Sequence, residues 1–170
     1  MMFKKYLFVF LIFSLSLNAQ HRGNRNTPVL HEVSNKEVVQ SLYPEATKVE
    51  KINDFWFKII DDKNHILGFA MSSAPYCKNI IGYNNTTPVM IITNKEWEVQ
   101  KVSLLSNYET LAYVKRLEKK GYFDLWVGKT LNEAKKIEID GYSGATITGK
   151  AISKNVDYLL ENGSKNLPKQ

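Results

Sequence analysis

Phe55 to Ile60 (Phe-Trp-Phe-Lys-Ile-Ile), the polar break Asp61-Asp62-Lys63-Asn64 and Ile66 to Met71 (Ile-Leu-Gly-Phe-Ala-Met) decide the fold. Two short runs of aromatic and branched residues, parted by turn-forming residues, predict a β-hairpin. Downstream, Pro88 to Thr93 and Val99 to Leu105, joined by Asn94-Lys95-Glu96, predict a second one. Upstream, Lys48-Val49-Glu50-Lys51-Ile52 alternates as a strand does. Before it, Ser34 and Glu37 have the spacing of a capping box and open a helix that must end before Pro44. Glu109 to Lys120 has helical propensity and stops at Gly121. Near the C-terminus, Ala145, Ile152, Val156, Leu159 and Leu160 recur at helical spacing, and Asn162-Gly163 reads as a stop. The order is helix, four or more strands, helix, a short irregular segment, helix. That is an α+β fold, a single domain with an antiparallel sheet and helices packed on one side of it.

The two ends are set apart by composition. Lys4 and Lys5 precede an apolar run from Tyr6 to Leu17, closed by Asn18-Ala19-Gln20. This predicts a signal peptide over residues 1–19, because about a dozen apolar residues fall short of the ~20 that span a bilayer. A polar leader is expected over 20–33, the domain over 34–163 and a short tail over 164–170. About 150 residues would remain after cleavage, enough for one core. Loss of Lys4 and Lys5 lowers the formal charge from +6 to +4. The cluster Lys115, Arg116, Lys119, Lys120 reads first as a solvated helix face. No nucleic-acid partner is expected of an exported chain without a nucleic-acid motif. Cys77 is the single cysteine, so no intramolecular disulfide can form, and it reads as a small buried residue. His21, His31 and His65 have no metal-ligand spacing.

The chemistry concentrates in Asp140-Gly141-Tyr142-Ser143-Gly144-Ala145-Thr146, followed by Ile147-Thr148. It reads as a tight glycine turn that delivers a threonine hydroxyl to the first turn of a helix. A hydroxyl in that place either caps the helix or carries a phosphate-linked group. The whole string resembles the flavinylation motif of the FMN-binding domain family, found in flavin subunits of the sodium-pumping quinone reductase and the Rnf complex. The family also includes periplasmic parts of membrane regulators of nitrous-oxide reduction. Two further stretches are similar to family segments. Tyr108-Glu109-Thr110-Leu111-Ala112-Tyr113, followed by Gly121-Tyr122-Phe123-Asp124 and Gly128-Lys129, resembles its Glu-Thr-Pro-Gly segment. Ile81-Gly82-Tyr83-Asn84 resembles a turn before a strand. The likeness covers about residues 66 to 160. Leu111-Ala112 departs from the usual Pro-Gly, and Ser106, Asn107 and Tyr108 stand where a histidine is common.

The resemblance implies FMN held covalently, its phosphate esterified to Thr146 by a separate magnesium-dependent flavin transferase that takes FMN from FAD. It implies that Gly144 and Ala145 let backbone approach the phosphate and that Ser143 donates to it. Glu109 and Thr110 would then meet the ribityl hydroxyls or ring edge, with Gly82 and Tyr83 beside them. Asp140 is either recognised by the transferase or caps the turn. Tyr83, Tyr108 and Tyr113 are either core residues or surfaces for the flavin ring. The function expected is that of an exported, periplasmic electron carrier with a membrane-bound or periplasmic redox donor and acceptor. It is more a redox carrier than an enzyme. The other readings are a small exported flavin reductase, and a noncovalent or flavin-free module that interacts with a membrane partner.

Overall fold

The computed structural model describes residues 27–139 and 144–169. The expected signal peptide over 1–19, and Asp140 and Ser143, lie outside the described residues. The chain folds as an α+β domain. Helix α1 (Asn35–Gln40) leads into strands β1 (Lys48–Lys51), β2 (Trp56–Ile60), β3 (Ile66–Ser72), β4 (Val89–Thr93) and β5 (Val99–Leu104). Helices α2 (Leu111–Lys119), α3 (Leu131–Ala134) and α4 (Thr146–Lys165) follow, with a 3-10 turn at Tyr122–Trp126 between α2 and α3. The five strands form a meander in the order β1-β2-β3-β4-β5, every neighbour antiparallel.

Local chemistry accounts for the boundaries. Ser34 and Glu37 close the expected capping box at α1. Asp61 Oδ1 accepts the N–H groups of Lys63 and His65 and so shapes the β2–β3 turn, where Asn64 sits at φ +65°. Helix α2 starts at Leu111, two residues later than Glu109, because Glu109 is buried and Thr110 takes the N-cap place. Thr130 and Glu133 form a second capping box that opens α3 inside the stretch expected to be irregular.

Two expectations are corrected. Helices cover both faces of the sheet, not one. Strand β4 is buried along its whole length, as a strand covered on two sides must be. Val38 and Val39 of α1 pack with Ile59, Ala70, Met90, Ile92 and Leu105 on one face. Trp56, Phe69, Met71, Val89, Ile91, Val102 and Leu104 meet α2, α3 and α4 on the other. Second, Asn162-Gly163 does not stop α4, which runs on to Lys165. Gly163 is buried in the helix, where its carbonyl accepts a hydrogen bond from the Trp56 indole at 3.0 Å. That contact across 107 residues outweighs the local stop signal.

Ala145, Ile152, Val156, Leu159 and Leu160 are all buried, as their spacing predicts. Burying each large member of that stripe contributes about 1.5–3 kcal/mol of transfer free energy. This fixes the roll of α4 and therefore the direction in which its first turn faces. Tyr122 Oη donating to Gly149 O at 2.6 Å, and Asn155 Nδ2 donating to Thr87 O at 3.0 Å, pin the same helix from two sides.

Candidate functional site

Three segments meet at the start of α4: the turn 81–86, the stretch 107–116 and residues 144–150. Glu109 joins them. Glu109 is 1% exposed. Oε1 accepts from the N–H of Asn84 at 2.9 Å and of Asn85 at 3.4 Å. Oε2 accepts from the N–H of Tyr83 at 3.1 Å and from the Thr148 hydroxyl. A buried carboxylate is tolerated only when its lone pairs are met in this way. Asn107, also buried, presents Oδ1 to the Glu109 N–H at 2.9 Å and sets the backbone for it. Gly82 allows the approach, since a Cβ there would stand 2.6 Å from Glu109 Oε1 and 2.7 Å from Thr87 Cγ2. Asn84 adds a tie, donating to Tyr108 O at 2.8 Å and Thr110 Oγ1 at 3.4 Å.

Thr146 and Thr148 have opposite surroundings. Two residues apart on a helix of 3.6 per turn, they project to roughly opposite sides. Thr148 is buried against Glu109, whereas Thr146 is exposed. Ala145, the N-cap residue, is buried and offers no side-chain cap. Gly144 before it has φ +85°, a conformation that suits glycine. Arg116 Nη1 on α2 donates to Gly144 O at 3.0 Å, and a Cβ on Gly144 would collide with that nitrogen.

The same three segments carry exposed apolar side chains: Ile81, Tyr83, Tyr108, Leu111 and Ile147. Tyr83, 53% exposed, makes an edge contact with Tyr113 at 5.1 Å between ring centres. Tyr83 and Tyr108 are therefore surface residues rather than core, and Tyr113 is half-buried against the core. An open groove of about 350 Å3, lined by Ile80, Ile81, Ile147 and Ala151 with Lys150 and Lys154, runs beside the start of α4. Exposed apolar side chains beside a groove are a feature of binding sites.

The sequence-derived residues thus divide. Thr146, Gly144, Ala145, Tyr83 and Thr110 lie in these segments, with Thr146 and Tyr83 open to solvent. Gly82 and Glu109 are buried beneath them and order the site from within. Arg116 and Thr148 were not singled out by the sequence. Arg116 was hidden in a basic helix pattern that any solvated face shows. Thr148 repeats the residue type of Thr146 at a spacing that alternates outside and inside. Cys77 is buried as expected, and burial pushes its thiol pKa up. Among the described residues, no cluster of His, Cys, Asp and Glu could hold a metal ion.

The arrangement is a small α+β domain with a groove beside the start of α4 and an exposed threonine in the helix's first turn. Residues 82–161 match the model of the FMN-binding domain family. No curated protein matches the chain. The family match supports FMN as the ligand of this part of the chain. The residues present fit that cofactor. Gly144 presents its backbone without a side chain, Thr146 is exposed two residues on, and the exposed apolar side chains of the three segments suit a planar ring.

Proposed function

We propose that the chain is an exported electron-transfer flavoprotein that carries FMN as a phosphoester on Thr146. The single observation that supports this most is the contrast between two threonines of one helix turn. Thr148 is sequestered by Glu109, while Thr146 stands exposed just after a left-handed glycine. In attachment, the Thr146 oxygen attacks the phosphorus of the FMN half of FAD. A Thr–O–P ester forms, the pyrophosphate P–O bond breaks, AMP leaves and the hydroxyl proton passes to a base of the transferase. No electrons change hands. Glu109 is committed to three backbone N–H groups and Thr148. Activation of Thr146 is therefore assigned to the separate magnesium-dependent enzyme.

Once bound, the flavin supplies reversible one- or two-electron chemistry. The protein's part is to hold and shield. Tyr83 and Ile147 offer apolar surface to the ring, and Gly144 with Ala145 brings backbone close to the phosphate. The donor and acceptor of electrons are membrane-bound or periplasmic redox proteins. Co-expression with a flavin transferase is expected to add about 438 Da to the chain, one FMN less water. Thr146→Ala is expected to remove that mass and the yellow colour, with a change of stability of about 0.5 kcal/mol or less, since Thr146 is an exposed residue of the first turn rather than its cap. A wild-type chain that gains no mass would overturn the proposal. Noncovalent yellow colour that survives Thr146→Ala would do the same in favour of a reductase or a plain binding module.

A further inference from the structure

We propose that Arg116 is a positioning residue for flavin attachment, acting through the Gly144 carbonyl to set the presentation of Thr146. The inference rests on Thr146 as the acceptor and adds a residue on a different helix to the machinery that delivers it.

Arg116 and Gly144 are 28 residues apart, yet the guanidinium reaches across from α2 to donate to Gly144 O at 3.0 Å. Gly144 is held at φ +85° two residues before the acceptor hydroxyl. A peptide carbonyl fixed in this conformation fixes the plane of the following peptide, and with it the approach of the chain to Thr146. Ala145 cannot do this with its own side chain, for it makes no capping bond. The contact also requires glycine in two ways. A side chain at position 144 would be strained at that φ and would displace Nη1. Arg116 and Gly144 thus form one device: the glycine opens the space, and the arginine closes it with a hydrogen bond. Tyr113, one turn earlier on α2, packs against Tyr83. The same helix therefore steadies both the acceptor turn and the aromatic surface beside it.

The test follows attachment by intact mass over time, with purified full-length chain, a flavin transferase, magnesium and FAD. Arg116→Ala is expected to slow attachment about tenfold, the scale of one lost hydrogen bond to a charged group. The fall should be in the turnover of the transferase rather than in its KM for the chain, with a melting temperature no more than about 5 °C below wild type, far from unfolding. Arg116→Lys, which keeps a cationic N–H donor, is expected to recover much of the rate. Gly144→Ala should slow attachment as well, and adding Arg116→Ala to it should cost little more, because the first change already breaks the contact. Fully multiplicative effects would overturn the inference and mean that Arg116 touches the transferase directly. Wild-type rate in Arg116→Ala would also overturn it while leaving Thr146 as the acceptor. A wild-type chain that gains no mass would overturn both.

Discussion

Replacing Glu109 by glutamine tests whether one buried carboxylate organises the site. The change is nearly isosteric, so no cavity forms, and its effect lies in the hydrogen bonds. The carboxylate serves four donors: the N–H groups of Tyr83, Asn84 and Asn85 and the Thr148 hydroxyl. With the amide oxygen in the place of Oε1, Asn84 and Asn85 keep an acceptor but lose its charge. The amide nitrogen then faces the Tyr83 N–H, donor to donor. The Thr148 hydroxyl can turn and accept, whereas the Tyr83 N–H cannot. One orphaned N–H costs about 1–3 kcal/mol, and the loss of charge assistance adds about 1 kcal/mol. The expected destabilisation is therefore about 3 kcal/mol. For a chain of this length that is a fall in melting temperature of about 6–12 °C. Urea titration and thermal melting followed by circular dichroism measure it. The slope against urea should stay unchanged, since the fold itself is kept. A fall of less than about 2 °C would refute the reasoning, because the turn 81–86 would then stand without its central acceptor.

Further outcomes follow from single contacts. Gly163→Ala should destabilise by about 1–2 kcal/mol, although alanine is the better helix former, because its Cβ would collide with the buried Met71 Sδ; a stabilised variant in the same melts would contradict this. Glu50, held to about 2 by hydrogen bonds from Lys48 and then Lys58, should titrate far below an ordinary glutamate when followed by NMR. Its pKa is depressed by folding, so its contribution is present above the unfolded value and is lost as pH falls through about 2. Lys58→Ala should move the midpoint up. Cys77, buried with its thiol pKa raised, should react with a thiol reagent at pH 8 only as fast as the chain opens, and at the full rate in denaturant.

The alternation and turn chemistry of the chain carry much of the fold. The box at Ser34 and Glu37, the polar turn at Asp61 and the gap at Asn94 are local signals, and local signals place all five strands. What escapes is non-local. Nothing near Gly163 announces that Trp56 will claim its carbonyl, so a stop signal is overridden. The continuous apolar run of β4 is compatible with burial on two faces, but only the seating of α1 on the far face reveals it. The box at Thr130 and Glu133 has the same spacing as the one at Ser34, yet it opens a helix of a single turn, too short for apolar periodicity to support it. Within the site, the exposed position of Thr146 follows from the stripe that buries Ala145 and Ile152. The burial of Glu109 does not follow from its neighbours. It depends on donors 25 and 39 residues away, and sequence spacing holds no record of that pairing. Arg116 is concealed for the same reason, since its partner lies on a turn beyond two further helical segments.

Fragment-mass mapping of the chain after reaction with a flavin transferase tests the central claim most directly, because it reports which oxygen carries the flavin. The expected result is the full added mass on Thr146, with Thr148 and Ser143 unmodified. A chain that stays unmodified beside a competent transferase, or one that carries the flavin on Thr148 or Ser143, would contradict the assignment.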